Sequence, residues 1–90
     1  MNLHLTFMHH SDNSSIDVTI EDNWSANYAI EELIRESFLK PLGDAEEYRL
    51  VYKEDQTEFG GSTTFAQAGV QDGKVISVVV RPKAGGHILA

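Results

Sequence analysis

The chain has 90 residues, no cysteine, and 14 acidic side chains against 7 lysines and arginines, which gives a formal net charge of −7. This length fits one domain with a small core, and the missing cysteines exclude disulfides, thiolate metal sites and a cysteine nucleophile. An acidic surface repels nucleic acid and anionic membranes, because both are bound through clustered lysine and arginine. No run of about 18 apolar residues and no signal-peptide pattern occurs, so a cytoplasmic protein is expected.

Two runs near the N-terminus alternate apolar and polar residues, which is the period of a half-buried β-strand. The first run is expected to point Leu3, Leu5 and Phe7 inward, and the second covers residues 16–20. The polar residues between them, 10–15, have side chains that stabilise tight turns. The pattern predicts a β-hairpin.

The next segment has the period of an amphipathic helix. Ser25 is the predicted N-cap. Pro41 cannot continue a helix and Gly43 suits its exit, so the helix is predicted to end near Leu39 or Lys40. The residues that follow one helix face, at spacings of three and four, are Ile30, Leu33, Ile34, Ser37 and Phe38.

Two further strands are predicted in the second half of the chain. Residues 48–53 form the first of these, and the polar residues 54–57 interrupt it. Residues 65–70 predict a short helical turn that ends at Gly69. The last strand, 75–81, is almost continuously apolar, which is typical of a central strand. Its two faces are predicted to carry Ile76, Val78 and Val80 on one side and Ser77, Val79 and Arg81 on the other.

A glycine pair lies almost at the C-terminus. Gly85 and Gly86 follow the linker 81–84 and precede only His87-Ile88-Leu89-Ala90. Glycine has no side chain to obstruct a narrow enzyme channel, so this end suits a protein whose own C-terminal carboxylate reacts. The last four residues would then be a removable cap. A glycine pair near a chain end is also common in ordinary flexible tails.

The order hairpin, helix, strand, turn and strand predicts a single α+β domain over residues 1–81, followed by a flexible tail, 82–90. Three segments carry a resemblance to ubiquitin-like proteins. Residues 48–52 are similar to ubiquitin's third strand, 64–76 to its short turn and the start of its final strand, and 78–86 to its final strand and diglycine tail. The resemblance covers nearly the whole chain and implies the β-grasp fold.

The chain also departs from ubiquitin. Its tail is one residue longer, the loop before Phe65 is longer, Pro82 stands where the eukaryotic tail has no proline, and the helix lacks ubiquitin's lysines. In these respects the chain looks more like prokaryotic, bacterial ubiquitin-like proteins that are encoded beside activating, conjugating and zinc-peptidase enzymes.

The resemblance implies a protein modifier that is made as a precursor. A zinc-dependent JAB-type peptidase would cut between Gly86 and His87. An ATP-dependent activating enzyme would then adenylate the Gly86 carboxylate, and a conjugating enzyme would pass it to target proteins. The chain would be the substrate of these enzymes rather than an enzyme itself, and no cofactor is expected.

The resemblance also implies a partner-binding patch on the exposed face of the sheet. Val51 and Val79 would form its apolar centre, with Arg49 and Arg81 beside them. Apolar residues flanked by arginine have the composition of interface hot spots. Two exposed valines on neighbouring strands are equally explained by their preference for β-structure.

Two other functions remain open. A non-covalent β-grasp interaction module, such as a secretion-system accessory, would not use the C-terminus. A sulfur carrier would end in a thiocarboxylate, although carriers normally lack residues after the glycine pair. The four histidines have no chelating pattern and no metal is expected, and no catalytic set of residues is found. These histidines are His4, His9, His10 and His87.

Overall fold

In the computed structural model, which describes residues 1–83, the chain forms one five-stranded sheet and one α-helix. The elements are β1 (Asn2–Met8), β2 (Ser15–Glu21), α1 (Ala26–Arg35), β3 (Glu46–Tyr52), β4 (Thr57–Phe59) and β5 (Val75–Pro82). The strands lie in the order β2-β1-β5-β3-β4, and only the β1–β5 pair is parallel. The predicted α+β class is confirmed. No helix in this part of the chain is long and apolar enough to span a membrane.

The N-terminal hairpin follows the sequence pattern. Leu3, Leu5 and Phe7 are all buried, because alternate residues of a strand point to the same face of the sheet. The turn is held by a short side chain, since the Asp12 carboxylate accepts the Ser14 N–H at 3.0 Å and the Ser14 hydroxyl at 2.7 Å. An aspartate that accepts hydrogen bonds from the residue two positions later closes a turn, and the turn fixes the register of the two strands.

Helix α1 begins where the sequence predicts. The Ser25 hydroxyl accepts the Tyr28 N–H at 3.1 Å, which satisfies one of the free N–H groups of the first turn. The apolar face of the helix packs on the inner side of the sheet, and its residues Ala29, Ile30 and Leu33 are buried. The helix is therefore held by its apolar stripe, as the spacing of its apolar residues indicates.

The predicted end of the helix is wrong. Helix α1 ends at Arg35, whereas the sequence pattern predicts an end near Leu39 or Lys40. At Ser37 the backbone takes the left-handed conformation, with φ at 66°, and the two N–H groups that follow donate to the Leu33 carbonyl at 3.0 and 3.2 Å. Leu39 is nevertheless buried. Apolar residues continue at helical spacing past the end of the helix because the turn at Ser37 brings the residues after it back onto the same core.

The segment before the last strand closes the core. Phe65 is fully buried and meets Phe7 and Phe59 edge to face, with ring centroids 6.3 and 5.3 Å apart. The predicted helical turn is a single turn with reciprocal caps, because Thr64 and Gln67 each donate a backbone N–H to the other's side chain at 2.9 and 3.0 Å.

The last strand occupies the centre of the sheet, as predicted. Strand β5 pairs with β3 through seven residue pairs, from Glu46–Pro82 to Tyr52–Ile76, and with β1 through three. It runs one residue beyond its predicted end at Arg81. Strand β4 was not predicted, because it has only three residues and lies next to a polar stretch.

Candidate functional site

The four predicted patch residues lie on the outer face of the sheet, away from α1. In the pairing of β3 with β5, Arg49 is opposite Val79 and Val51 is opposite Ser77, so the two valines are diagonal neighbours. Both valines are partly exposed, and Arg81 is exposed at the end of the same face. The structure therefore brings Arg49, Val51, Val79 and Arg81 onto one surface, which is called the outer patch below.

Met8 extends the outer patch from the other side. The parallel pairing of β1 with β5 places Met8 next to Ser77, so that Met8 and Val51 flank this serine from opposite strands. Met8 is partly exposed, and a flexible thioether side chain adapts to different partner surfaces. The sequence pattern gave no indication of this residue, since the parallel pairing of the first strand with the last is long-range.

The two arginines of the outer patch share one carboxylate. Glu58 on β4 accepts Arg49 Nε through Oε2 and Arg81 Nη2 through Oε1, both at 3.0 Å. Glu47 also lies near the Arg49 guanidinium group, with 3.9 Å between Glu47 Oε2 and Arg49 Nη1. The patch is therefore an apolar centre beside a compensated ion cluster, not a basic surface. Sequence reasoning missed Glu58 because it missed β4.

Gly60 leaves room for this ion cluster. A Cβ atom at this buried glycine would lie 2.8 Å from Arg49 Nη1 and 3.1 Å from Arg49 Cζ, closer than such atoms pack. A side chain here would push the guanidinium away from Glu58. Gly60 thus has a packing role beside the outer patch, whereas a Cβ atom at Gly61 would meet nothing within 4 Å.

Strand β5 is hydrogen-bonded to its neighbour β3 up to its C-terminal end. Pro82 is in register with Glu46, and the Lys83 N–H donates to the Ala45 carbonyl at 3.0 Å. The predicted attachment and processing residues, Gly85, Gly86 and His87, lie outside the described residues. In the sequence, the glycine pair begins two residues after Lys83.

His9, Ser11 and Asp12 lie together but do not form a catalytic triad. The Ser11 hydroxyl is 3.0 Å and the Asp12 carboxylate 3.6 Å from the same ring nitrogen of His9, Nδ1. A triad needs the hydroxyl and the carboxylate on opposite ring nitrogens, so that the imidazole can move a proton while the carboxylate orients it. This group is therefore part of the hairpin turn.

His4 and Asp72 join the turn before β5 to strand β1. The Asp72 carboxylate accepts the backbone N–H of His4 at 2.6 Å and lies 3.2 Å from His4 Nδ1, and these hydrogen bonds hold the pKa of Asp72 below its usual range. The Gly73 N–H donates to the His4 carbonyl at 2.8 Å. Within residues 1–83, no three His, Asp or Glu side chains gather in a way that could hold a metal ion.

No protein-family model and no curated protein matches the chain in sequence. Solved structures do match. A de novo designed protein based on ubiquitin has a TM-score of 0.69 at 16% identity, over 98% of this chain and 96% of that chain. The ubiquitin of Caldiarchaeum subterraneum has a TM-score of 0.68 at 19% identity, over 94% of this chain and 100% of that chain. The UBL domain of yeast Ddi1 has a TM-score of 0.64 at 11% identity, over 96% and 94%.

These likenesses extend over nearly the full length of both chains, and at such low identity they show the fold. Residues 1–83 have the fold of one ubiquitin-like domain, with a mixed five-stranded sheet and one helix. The β-grasp fold implied by the sequence resemblance is confirmed.

Proposed function

We propose that the chain is a ubiquitin-like protein modifier, made as a precursor and conjugated to other proteins through the Gly86 carboxylate. The observation that carries the proposal is the position of Gly85-Gly86, two residues beyond the hydrogen bond that ends the central strand of a ubiquitin-like domain. Residues 1–81 would be the part that enzymes recognise, and the tail, 82–90, the part that reacts.

The chemistry requires an activated carboxylate. A peptidase first hydrolyses the Gly86–His87 peptide bond, which leaves Gly86 as the C-terminus. Its carboxylate then attacks the α-phosphate of ATP and releases pyrophosphate. The resulting acyl adenylate transfers to an enzyme thiol with loss of AMP, because AMP is a far better leaving group than an oxide ion. An amine or another nucleophile of the target finally displaces the thiol. Glycine exposes the acyl carbon to each nucleophile without steric hindrance.

The proposed partners supply every catalytic group. They are an ATP-dependent activating enzyme, a conjugating enzyme, a zinc-dependent JAB-type peptidase and the target proteins. The outer patch is the proposed contact for at least one of them, because Val51, Val79 and Met8 offer apolar area beside arginines whose charge is already paired with Glu58.

Processing is tested by intact mass. The full chain, incubated with the cognate peptidase, should lose the last four residues and end at Gly86, because the two residues before this bond have no side chains and can enter a narrow enzyme channel. A Gly86→Leu variant is the control and should stay uncut. A chain that stays whole, or that is cut at another bond, would contradict processing at Gly86.

The outer patch is tested by adding a charge. Val51→Asp and Val79→Asp should each lower the rate of transfer to the conjugating enzyme at least tenfold, since an unpaired carboxylate at an apolar interface is costly to desolvate. Thr19→Asp places the same charge on the outer face of the edge strand β2 and should leave the rate unchanged. Full transfer by both valine variants, with the fold intact by NMR, would remove the patch from the proposal.

A non-covalent interaction module is the second candidate. The outer patch supports it, because an apolar surface on a rigid sheet can bind a partner without any reaction at the C-terminus. Deletion of residues 85–90 separates the two functions. A module keeps its activity after this deletion, whereas a modifier loses it.

A further inference from the structure

Tyr28 is an exposed aromatic residue on the outward side of helix α1. It is 46% exposed, and within residues 1–83 the only other large apolar residue with an exposed side chain is Met1. The opposite side of the helix, with Ala29, Ile30 and Leu33, faces the sheet. A single exposed ring is ordinary on a protein surface, so the residues around Tyr28 decide whether it can bind a partner.

Trp24 holds the Tyr28 ring in place. The two rings meet edge to face, with centroids 4.6 Å apart and an angle of 90° between their planes. The Trp24 backbone is itself fixed, because its N–H donates to the Glu21 carbonyl at 3.1 Å and its carbonyl accepts the N–H of the buried Phe65 at 3.2 Å. The aromatic pair is therefore ordered before any partner binds, which lowers the entropy cost of binding.

A carboxylate without an ion pair lies beside this aromatic pair. Glu31 and Glu32 are three and four residues after Tyr28, so both are its neighbours on the helix surface. Side chains on a helix lean towards its N-terminus, which brings both carboxylates towards the ring. Glu32 pairs with Arg35. Glu31 is exposed and has no ion pair in the part of the chain that the structure describes.

We infer that Trp24, Tyr28 and Glu31 bind an arginine side chain of a partner protein. The guanidinium group stacks on the open face of the Tyr28 ring, and its N–H groups donate to the Glu31 carboxylate. A planar guanidinium can make both contacts at once, whereas the ammonium group of lysine is a more strongly hydrated point charge. The net charge of −7 attracts a basic partner to this surface. These three residues are called the arginine site below.

Other occupants fit the arginine site less well. An acidic partner is repelled by Glu31, and a purely apolar one would remove water from this carboxylate without pairing it, which is costly. A second copy of the chain would have to supply one of its own arginines. Arg35, Arg49 and Arg81 are all paired with carboxylates of their own chain, so binding would first break one of these pairs.

The arginine site is separate from the outer patch. Helix α1 covers the inner face of the sheet, whereas Val51 and Val79 lie on the outer face. The inference therefore does not depend on processing or conjugation at Gly86, and a failure of one proposal leaves the other unaffected. A partner at the arginine site also leaves the outer patch open.

The test is an NMR titration of the full chain with the synthetic peptide acetyl-Gly-Arg-Gly-Arg-Gly-amide at physiological ionic strength. Two arginines are included so that either can occupy the site. The amide signals of Tyr28 and Glu31 and the indole N–H signal of Trp24, the only tryptophan of the chain, should move in a saturable way. No saturable change, or signals that move only on the sheet, would overturn the inference.

Two further peptides separate stacking from simple charge attraction. The first replaces each arginine by citrulline, which has nearly the same shape and no charge, and it should bind at least fivefold more weakly. The second replaces each arginine by lysine, which keeps the charge without the planar group, and it should bind at least threefold more weakly. Equal affinity for the lysine peptide would overturn the stacking geometry, and equal affinity for the citrulline peptide would overturn the role of charge.

The aromatic part of the site is tested by Tyr28→Leu. This change keeps an apolar side chain but removes the ring, and it should weaken binding of the arginine peptide about fivefold. Tyr28→Phe is the matched control and should bind within about twofold of the unmodified chain, since the ring face is kept. Because Tyr28 is exposed, both variants should keep the NMR spectrum of the folded core. Unchanged binding by Tyr28→Leu would contradict the site.

The acidic part of the site is tested by Glu31→Gln, which should weaken binding of the arginine peptide about fourfold by removing the ion pair. Glu36→Gln is the matched control. It removes the same charge from an exposed residue about 12 Å further along the helix axis than Tyr28, and it should leave the affinity nearly unchanged. Equal weakening by both variants would indicate a general attraction to the acidic chain and would contradict the site.

Discussion

At the scale of single residues, Glu58 determines the character of the outer patch. Its carboxylate contacts Arg49 and Arg81, and the three side chains are 34, 31 and 48% exposed respectively. Exposed ion pairs contribute about 0–1 kcal/mol each, so the cluster adds little to stability. Its main effect is on recognition. An acidic partner has to displace Glu58, whereas an apolar partner finds the charges already paired and the guanidinium groups fixed in place.

Asp72 should make the fold sensitive to acid. Because hydrogen bonds from His4 lower the pKa of Asp72 in the folded protein, its charged form stabilises the fold at pH values above the ordinary aspartate pKa. This contribution is lost as the pH falls through the lower, folded-state pKa. Urea midpoints measured between about pH 2 and pH 6 should therefore fall in acid, and Asp72→Asn should flatten that fall.

The control for this prediction removes the same charge elsewhere. Asp44→Asn changes an exposed carboxylate that has no hydrogen bond within residues 1–83, and it should keep the acid dependence of the unmodified protein. A side-chain carbon titration that places the pKa of Asp72 at or above the ordinary value would contradict the role of the His4 contacts.

At the scale of secondary structure, Ser37 is a weak point at the end of α1. Its φ of 66° is in the left-handed region, which glycine adopts without steric cost and serine does not. Ser37→Gly should therefore raise the free energy of unfolding by about 0.5–1 kcal/mol, measured by urea denaturation.

Ser62→Gly is the matched control for Ser37→Gly. Ser62 is an exposed turn serine whose φ is not positive, so glycine there adds only freedom to the unfolded chain and should lower stability slightly. If both serine variants lose stability to the same extent, the left-handed turn does not limit the helix end.

The sequence predicted the strands with strong alternation and the start of the helix, because these depend on neighbours along the chain. Alternating Leu3, Leu5 and Phe7 became the inner face of β1, and Ser25 became the N-cap. The helix end was not predictable in this way. Its apolar spacing continues past Arg35, while the backbone turns at Ser37 to bring later residues onto the core.

The candidate site was predicted only on the two strands that resemble those of ubiquitin. Val51, Val79, Arg49 and Arg81 could be named because they lie on these two strands, β3 and β5. Met8 and Glu58 could not, because each joins the patch through pairing with a distant segment: β1 beside β5 in one case, and the short polar strand β4 beside β3 in the other.

At the scale of the whole molecule, the topology places the last strand at the centre of the sheet. Strand β5 pairs with β1 only at residues 75–77, whereas its pairing with β3 continues to Pro82. Local opening of β5 would therefore disrupt the centre of the sheet. Under the proposed function, the reactive tail follows a strand that also carries Val79 and Arg81 of the outer patch.

The most direct test of the proposed function is mass spectrometry of proteins that become attached to this chain in the cells that express it with its enzymes. Trypsin cuts after Lys83, so a conjugated target peptide should carry the branch Ala84-Gly85-Gly86 on its acceptor residue. A Gly86→Leu variant should give no branched peptide. Recovery of the chain only with its intact C-terminal residues, His87-Ile88-Leu89-Ala90, and without any branched peptide, would contradict a covalent modifier and support the non-covalent module.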